Sequence, residues 1–208
     1  SSRQAVRFLN QAQFSASDGE IAALQTLGYS GWLDQQFAAP NTQTAWDWLV
    51  MKGFNVIAER NNRTAVENAM WAQLITSTDT LRKRVALALS EILVVSLNGS
   101  VPNPPAFAVA AYWDLLVTNA FGNYRTLLEA VTLSPAMGGY LNIRGSQKAD
   151  AKTGRKPDEN YGREVMQLFT IGLNQLNLDG TPQLDASGQP LPTYVQDDVV
   201  NIARIFTG

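Results

Sequence analysis

Cysteine and histidine are both missing from the 208 residues. Without thiols there are no disulfides, no cysteine nucleophile and no thiolate zinc site; without imidazole there is no Ser-His-Asp relay. Any chemistry must use carboxylates, hydroxyls, amides, Lys, Arg or Tyr. Charge is also sparse, at 16% of residues, and nearly balanced, with 16 Lys and Arg against 18 Asp and Glu. No basic field exists to hold a phosphate backbone, so nucleic acid is not an expected partner. The most apolar stretch, VALALSEILVVSL (85–97), is too short to span a bilayer and carries Glu91, so no transmembrane segment is expected. No signal peptide is visible. The chain opens on Ser1 and stops at IARIFTG inside a helical pattern, which reads as part of a longer protein.

What is present is helical punctuation. Ser17 and Glu20 have capping-box spacing ahead of a periodic run that ends on Gly28, and Pro40 and Gly53 end two short amphipathic segments. Residues 63–75, 79–97 and 105–121 read as helices, with 79–97 the most buried, and Ser134-Pro135 opens another. Residues 142–157 are polar, aperiodic and locally basic, an exposed loop. Asp179-Gly180 and Ser187-Gly188 punctuate short apolar runs in 173–194, which predicts a hairpin insertion. No internal repeat stands out. The fold class is therefore mostly α: a multi-helix globular domain, single over 1–208, with one small β-hairpin near residues 174–194.

PDENYGREVMQLFTIG (157–172) concentrates the polar chemistry. At 100° per residue Tyr161, Val165, Leu168 and Phe169 share an apolar arc, expected to pack against the 85–97 helix. Asp158 reads as the N-cap, and Glu159 and Arg163 as an i,i+4 pair. Asn160, Arg163 and Glu164 form a polar edge suited to tying down neighbouring loops. Glu164 lies beside Leu168, and Glu91 is the lone ionisable group in its apolar run. Each needs a partner if buried, and Glu91 is expected to be buried against an arginine such as Arg125, Arg144 or Arg163. The catalytic candidates are thus Glu91, Glu164 and Arg163, and the binding candidates Asn160 and Tyr161. Asp179, Asp185, Asp197 and Asp198 lack EF-hand spacing, so turns and caps explain them, with at most an adventitious calcium. No metal site and no cofactor are expected.

The blocks RFLNQAQF, GYSGWLDQQF, LRKRVALALSEILVVS, LLEAVTLSPAMGGYLN, PDENYGREVMQLFTIGL and YVQDDVVNIARIFTG occur in the order seen in a large bacterial family, domain of unknown function 1800, which this chain resembles over essentially its whole length. The resemblance implies an exported protein, periplasmic, surface-bound or secreted. It also implies a protein partner from a second family of unknown function, number 1501, similar to phosphatases and sulfatases. Relatives often carry histidine in the block equivalent to ALALSEILVVS; here there is none. The expected function is a non-catalytic binding, scaffold or assembly module. The alternatives are a hydrolase using Glu91 and Glu164 as a carboxylate pair and a glycan-binding module.

Overall fold

The computed structural model describes residues 1–207, and among them ten helices and no regular strand. The chain forms two compact units, Ser1–Ala136 and Met137–Gly208. The first unit holds α1 (Ser2–Ala12), α2 (Asp18–Ala38), α3 (Ala45–Met51), α4 (Thr64–Thr76), α5 (Thr80–Ile92), α6 (Pro105–Asn119) and α7 (Tyr124–Thr132). Helix α8 (Pro135–Tyr140) carries the chain into the second, which holds α9 (Asn160–Gln167) and α10 (Gln196–Ile205).

The expected helix starts follow from local chemistry. Ser17 accepts the Glu20 amide while the Glu20 carboxylate takes the Ser17 amide at 2.7 Å, the reciprocal capping box. At Gly28 the backbone swings to φ 71°, which only glycine adopts freely, and α2 bends there. Thr44 caps α3 by accepting the Asp47 amide at 2.9 Å.

The central helix of the first unit is α6, not the 79–97 segment. Phe107, Ala110, Tyr112, Trp113, Leu116 and Val117 are all buried on α6, which touches α3, α4, α5 and α7. Helix α5 ends at Ile92 and buries only Lys83 and Ala86 along its length. Strong apolar composition selected the wrong helix, because which faces are covered depends on how many neighbours surround a helix. A second core joins α1 and α2 through Leu9, Leu24 and Trp32, with Phe8 edge-on to Trp32 at 5.2 Å.

In the second unit α9 and α10 cross at Gly162, where an added Cβ would lie 3.2 Å from Ile202 and 3.3 Å from the Ala203 backbone nitrogen. Tyr161 packs edge-on to Phe206 at 4.9 Å beside this crossing. The partner of α9 within this unit is thus α10. The helix is shorter than the expected 157–172 because it stops at Gln167, so Leu168 leaves the apolar arc and is exposed while Met166 and Phe169 are buried.

The expected hairpin is something else. Residues 173–195 make three successive arms whose only β pairs are the isolated bridges Leu176–Pro182, Leu184–Pro190 and Asn174–Pro192. The arms close in a ring. Gln183 donates its amide to Gln175, Leu191 to Gln183 and Gln175 to Leu191, at 2.8, 2.8 and 2.9 Å. Three further bonds repeat once per arm: Asn177 donates to Thr181, Asp185 to Gln189 and Thr193 to Leu173. Equivalent positions are eight residues apart, so LNQLNLDG, TPQLDASG and QPLPTYV are an internal repeat that the sequence reading missed. Asp179 and Asp185 serve the turns, accepting the Thr181 amide at 3.0 Å and the Ser187 amide at 2.8 Å.

Candidate functional site

The 157–167 block lies at the start of α9, behind the irregular 142–157 loop. The N-cap of α9 is Glu159, not the expected Asp158, which sits one residue ahead of it. The Asp158 carboxylate takes the Asn160 amide at 2.9 Å and the Asn142 side chain at 3.3 Å, while its own amide donates to Ser146 at 3.1 Å. Glu159 accepts from Arg163 at 2.9 Å and from Gln196 of α10 at 2.8 Å, and Arg163 also donates to Gln196 at 3.2 Å. These three side chains make a triangular clamp between the two helices. The binding candidates divide: Tyr161 is buried in the core beside Phe206, and Asn160 is exposed at the first turn. Of the edge expected to tie down loops, Arg163 instead joins α9 to Gln196 of α10, and the loop is reached by Asp158 through Asn142 and Ser146.

Glu164 is half-buried, and its Oε2 is enclosed without a hydrogen-bond partner. A cleft of about 540 Å³ opens beside the clamp, lined by the 149–157 segment, Glu159 and the α10 residues Gln196, Val200, Ala203 and Arg204.

Glu91 belongs to the first unit and is exposed, not buried, with no hydrogen bond or ion pair among the described residues. It stands on the rim of an open groove of about 500 Å³, with Glu67 and Arg63, over Tyr112 and Trp113. The polar atoms of that floor are spent: the Tyr112 hydroxyl donates to the Leu93 carbonyl and the Trp113 indole to Gln73, both at 2.7 Å. No arginine pairs with Glu91 because the face of α5 that bears it, with Ala88 and Ile92, turns outward.

The buried charges of the first unit are ones that sequence reasoning passed over. Lys83 and Asp79 are each 1% exposed and form an ion pair at 3.3 Å, with Asn41 accepting from the Lys83 ammonium at 2.8 Å. Burial pushes the Lys83 pKa down, and Asp79 pulls it back up. Asp114 of α6 accepts the amides of Ala45 and Trp46, at 2.7 and 3.0 Å, holding the open end of α3. Burial pushes its carboxyl above the ordinary value against the pull of those two amides and of Lys83. The one signal available was the i,i+4 spacing of Asp79 and Lys83, which is ordinary on a surface helix and says nothing of burial.

Among the described residues no three His, Cys, Asp or Glu side chains are placed to hold a metal ion, and no helix is long and apolar enough to cross a membrane. Comparison with curated proteins and with solved structures finds no match. Residues 7–208 match the family described as a protein of unknown function, DUF1800. With that match spanning nearly the entire chain, this chain belongs to the DUF1800 family.

Proposed function

We propose that this chain is a non-catalytic binding and assembly module that acts outside the cytoplasm through a protein partner. The observation that carries the reading is the ring of 173–195. Leu176 and Leu184 occupy equivalent positions in successive arms, at 56% and 57% exposure, with Leu173 and Leu178 exposed beside them. Large apolar side chains presented on a scaffold closed by its own backbone bonds are suited to a partner surface, because little ordering entropy is lost on binding. The polar groups of the 157–167 block give complementary support. Glu159 and Arg163 are already engaged with each other and with Gln196, and Asp158 with the Asn160 amide and the Asn142 side chain, which suits positioning more than turnover. Location outside the cytoplasm, and a partner from the phosphatase- and sulfatase-like family 1501, are part of the same proposal and rest on the family resemblance.

The test is to purify the full-length protein with the 1501-family protein and compare it with the Leu176→Asp/Leu184→Asp variant by analytical ultracentrifugation. The reading expects a defined complex that the double variant loses while keeping its melting temperature. A complex indifferent to both substitutions would contradict it. One feature favours carboxylate hydrolysis as a second reading: Glu91 shares the rim of an open groove with Glu67. Turnover that Glu91→Gln abolishes without loss of folding would move the function there.

A further inference from the structure

We infer that the second unit holds a site for a small phosphate monoester with an apolar body, in the cleft between the 149–157 segment and α10. This goes beyond a protein partner and rests on different residues. Three cationic side chains line the cleft, Arg155 and Lys156 from the loop and Arg204 from α10, against two carboxylates, Asp150 and Glu159. What decides the sign of the site is which of these charges are already spent. Asp150 accepts the Lys152 amide at 2.9 Å and the Thr153 hydroxyl at 3.0 Å. Glu159 is held by Arg163 and Gln196. The cations have no carboxylate partner. Arg155 donates to the Lys148 carbonyl and the Gln147 amide, Arg204 to the Asn201 amide, and Lys156 to nothing among the described residues. Three cations against two carboxylates, one of which is already ion-paired with Arg163, leave the cleft positive, and it attracts a ligand with more than one negative charge. A phosphate monoester carries about −1.5 to −2 at neutral pH, whereas a sulfate ester or a carboxylate carries a single charge.

The rest of the wall is apolar, including Pro157, Val200 and Ala203, which accommodates a hydrocarbon body next to the charged head. Two parts of the wall are ordered in advance. The Glu159–Arg163–Gln196 clamp fixes α9 to α10, and the Asp150–Arg155 bridge closes the loop on itself. A preformed site of this kind binds without first ordering its walls.

Isothermal titration of the chain with phenyl phosphate, phenyl sulfate and benzyl alcohol tests the inference, using wild type and the Lys156→Gln/Arg204→Gln variant. The expected result is saturable one-to-one binding of phenyl phosphate, with phenyl sulfate roughly tenfold weaker and benzyl alcohol showing no heat. The variant should weaken phenyl phosphate by roughly tenfold or more with its melting temperature unchanged. Absence of saturable phenyl phosphate binding overturns the inference. So does equal binding of benzyl alcohol or phenyl sulfate, and so does affinity that survives loss of both cations.

Discussion

Lys83 and Glu91 exchange the places their surroundings in the sequence suggest. Glu91, alone among apolar neighbours, is on the surface, while Lys83, between two arginines, is among the most buried side chains. A single sequence shows how apolar a helix is but not which side its neighbours cover, and the RKR triplet offers one cation to each of three faces. Removing Lys83 should therefore cost more than any other charge deletion in α5. Lys83→Met leaves Asp79 buried with only Arg82, 3.6 Å away, as a cationic partner, at a cost of about 3 kcal/mol in denaturant unfolding. The double variant Asp79→Leu/Lys83→Met should recover most of that loss, because the buried carboxylate goes with its ammonium and Arg82, at 16% side-chain exposure, still reaches solvent. Glu91→Ala should change stability by less than about 0.5 kcal/mol, since the side chain is exposed and unpaired.

Asp114 carries a pH prediction. Its folded-state pKa is raised above 3.8, burial being the first cause. A carboxyl with a raised folded pKa holds its proton more tightly in the folded chain. Its contribution is fully present below the unfolded value and is lost as pH rises through the folded one. Asp114→Asn cannot titrate and leaves one α3 amide without an acceptor, so it should cost about 1 kcal/mol at neutral pH. The wild-type advantage should grow as pH is lowered toward 3.8, measured by urea unfolding across that window.

At the scale of the element, the Gly162 crossing and the ring make separate predictions. Alanine at 162 would gain up to about 1 kcal/mol of helix propensity. Its Cβ, however, meets the Ala203 nitrogen at 3.3 Å and the Val199 carbonyl at 3.4 Å, and backbone cannot yield as a side chain does. Overpacking of about 1–3 kcal/mol should win, lowering the melting temperature of Gly162→Ala by a few degrees, roughly 2–4 °C. In the ring, Gly180 and Gly188 sit at φ 85° and 78° in equivalent turns. Gly180→Ala and Gly188→Ala should therefore cost similar amounts, about 1–2 kcal/mol each; a large inequality would show that the arms are not equivalent. Helix starts such as Ser17 with Glu20 were legible because capping is local and needs only a spacing of three. The ring was not. Its arms share few identities, and what closes them is hydrogen bonding between backbones eight and sixteen residues apart, which leaves no mark on side-chain identity.

For the whole molecule, mostly helical architecture was readable from periodicity and punctuation, whereas the organisation into two units was not. The chemistry is distributed accordingly: a buried Asp79–Lys83 pair and the Asp114 cap in the first unit, the clamp and cleft in the second. The candidate site was legible in part, since Glu159 with Arg163 was visible as an i,i+4 pair. Gln196, thirty-three residues past Arg163, was invisible until α10 was placed against α9. The central proposal is that the 157–167 block serves to position α9 on α10 rather than to carry turnover. The most direct measurement pairs the melting temperature with the phenotype of the full-length gene in three variants, Glu159→Gln, Arg163→Gln and Glu164→Gln. The clamp account predicts that Glu159→Gln and Arg163→Gln each lower stability by about 0.5–1 kcal/mol, the range for a part-exposed ion pair with added hydrogen bonds. Any phenotype should follow that loss and be rescued at lower temperature. Loss of phenotype in Glu164→Gln or Arg163→Gln with an unchanged melting temperature, and no rescue on cooling, would contradict it.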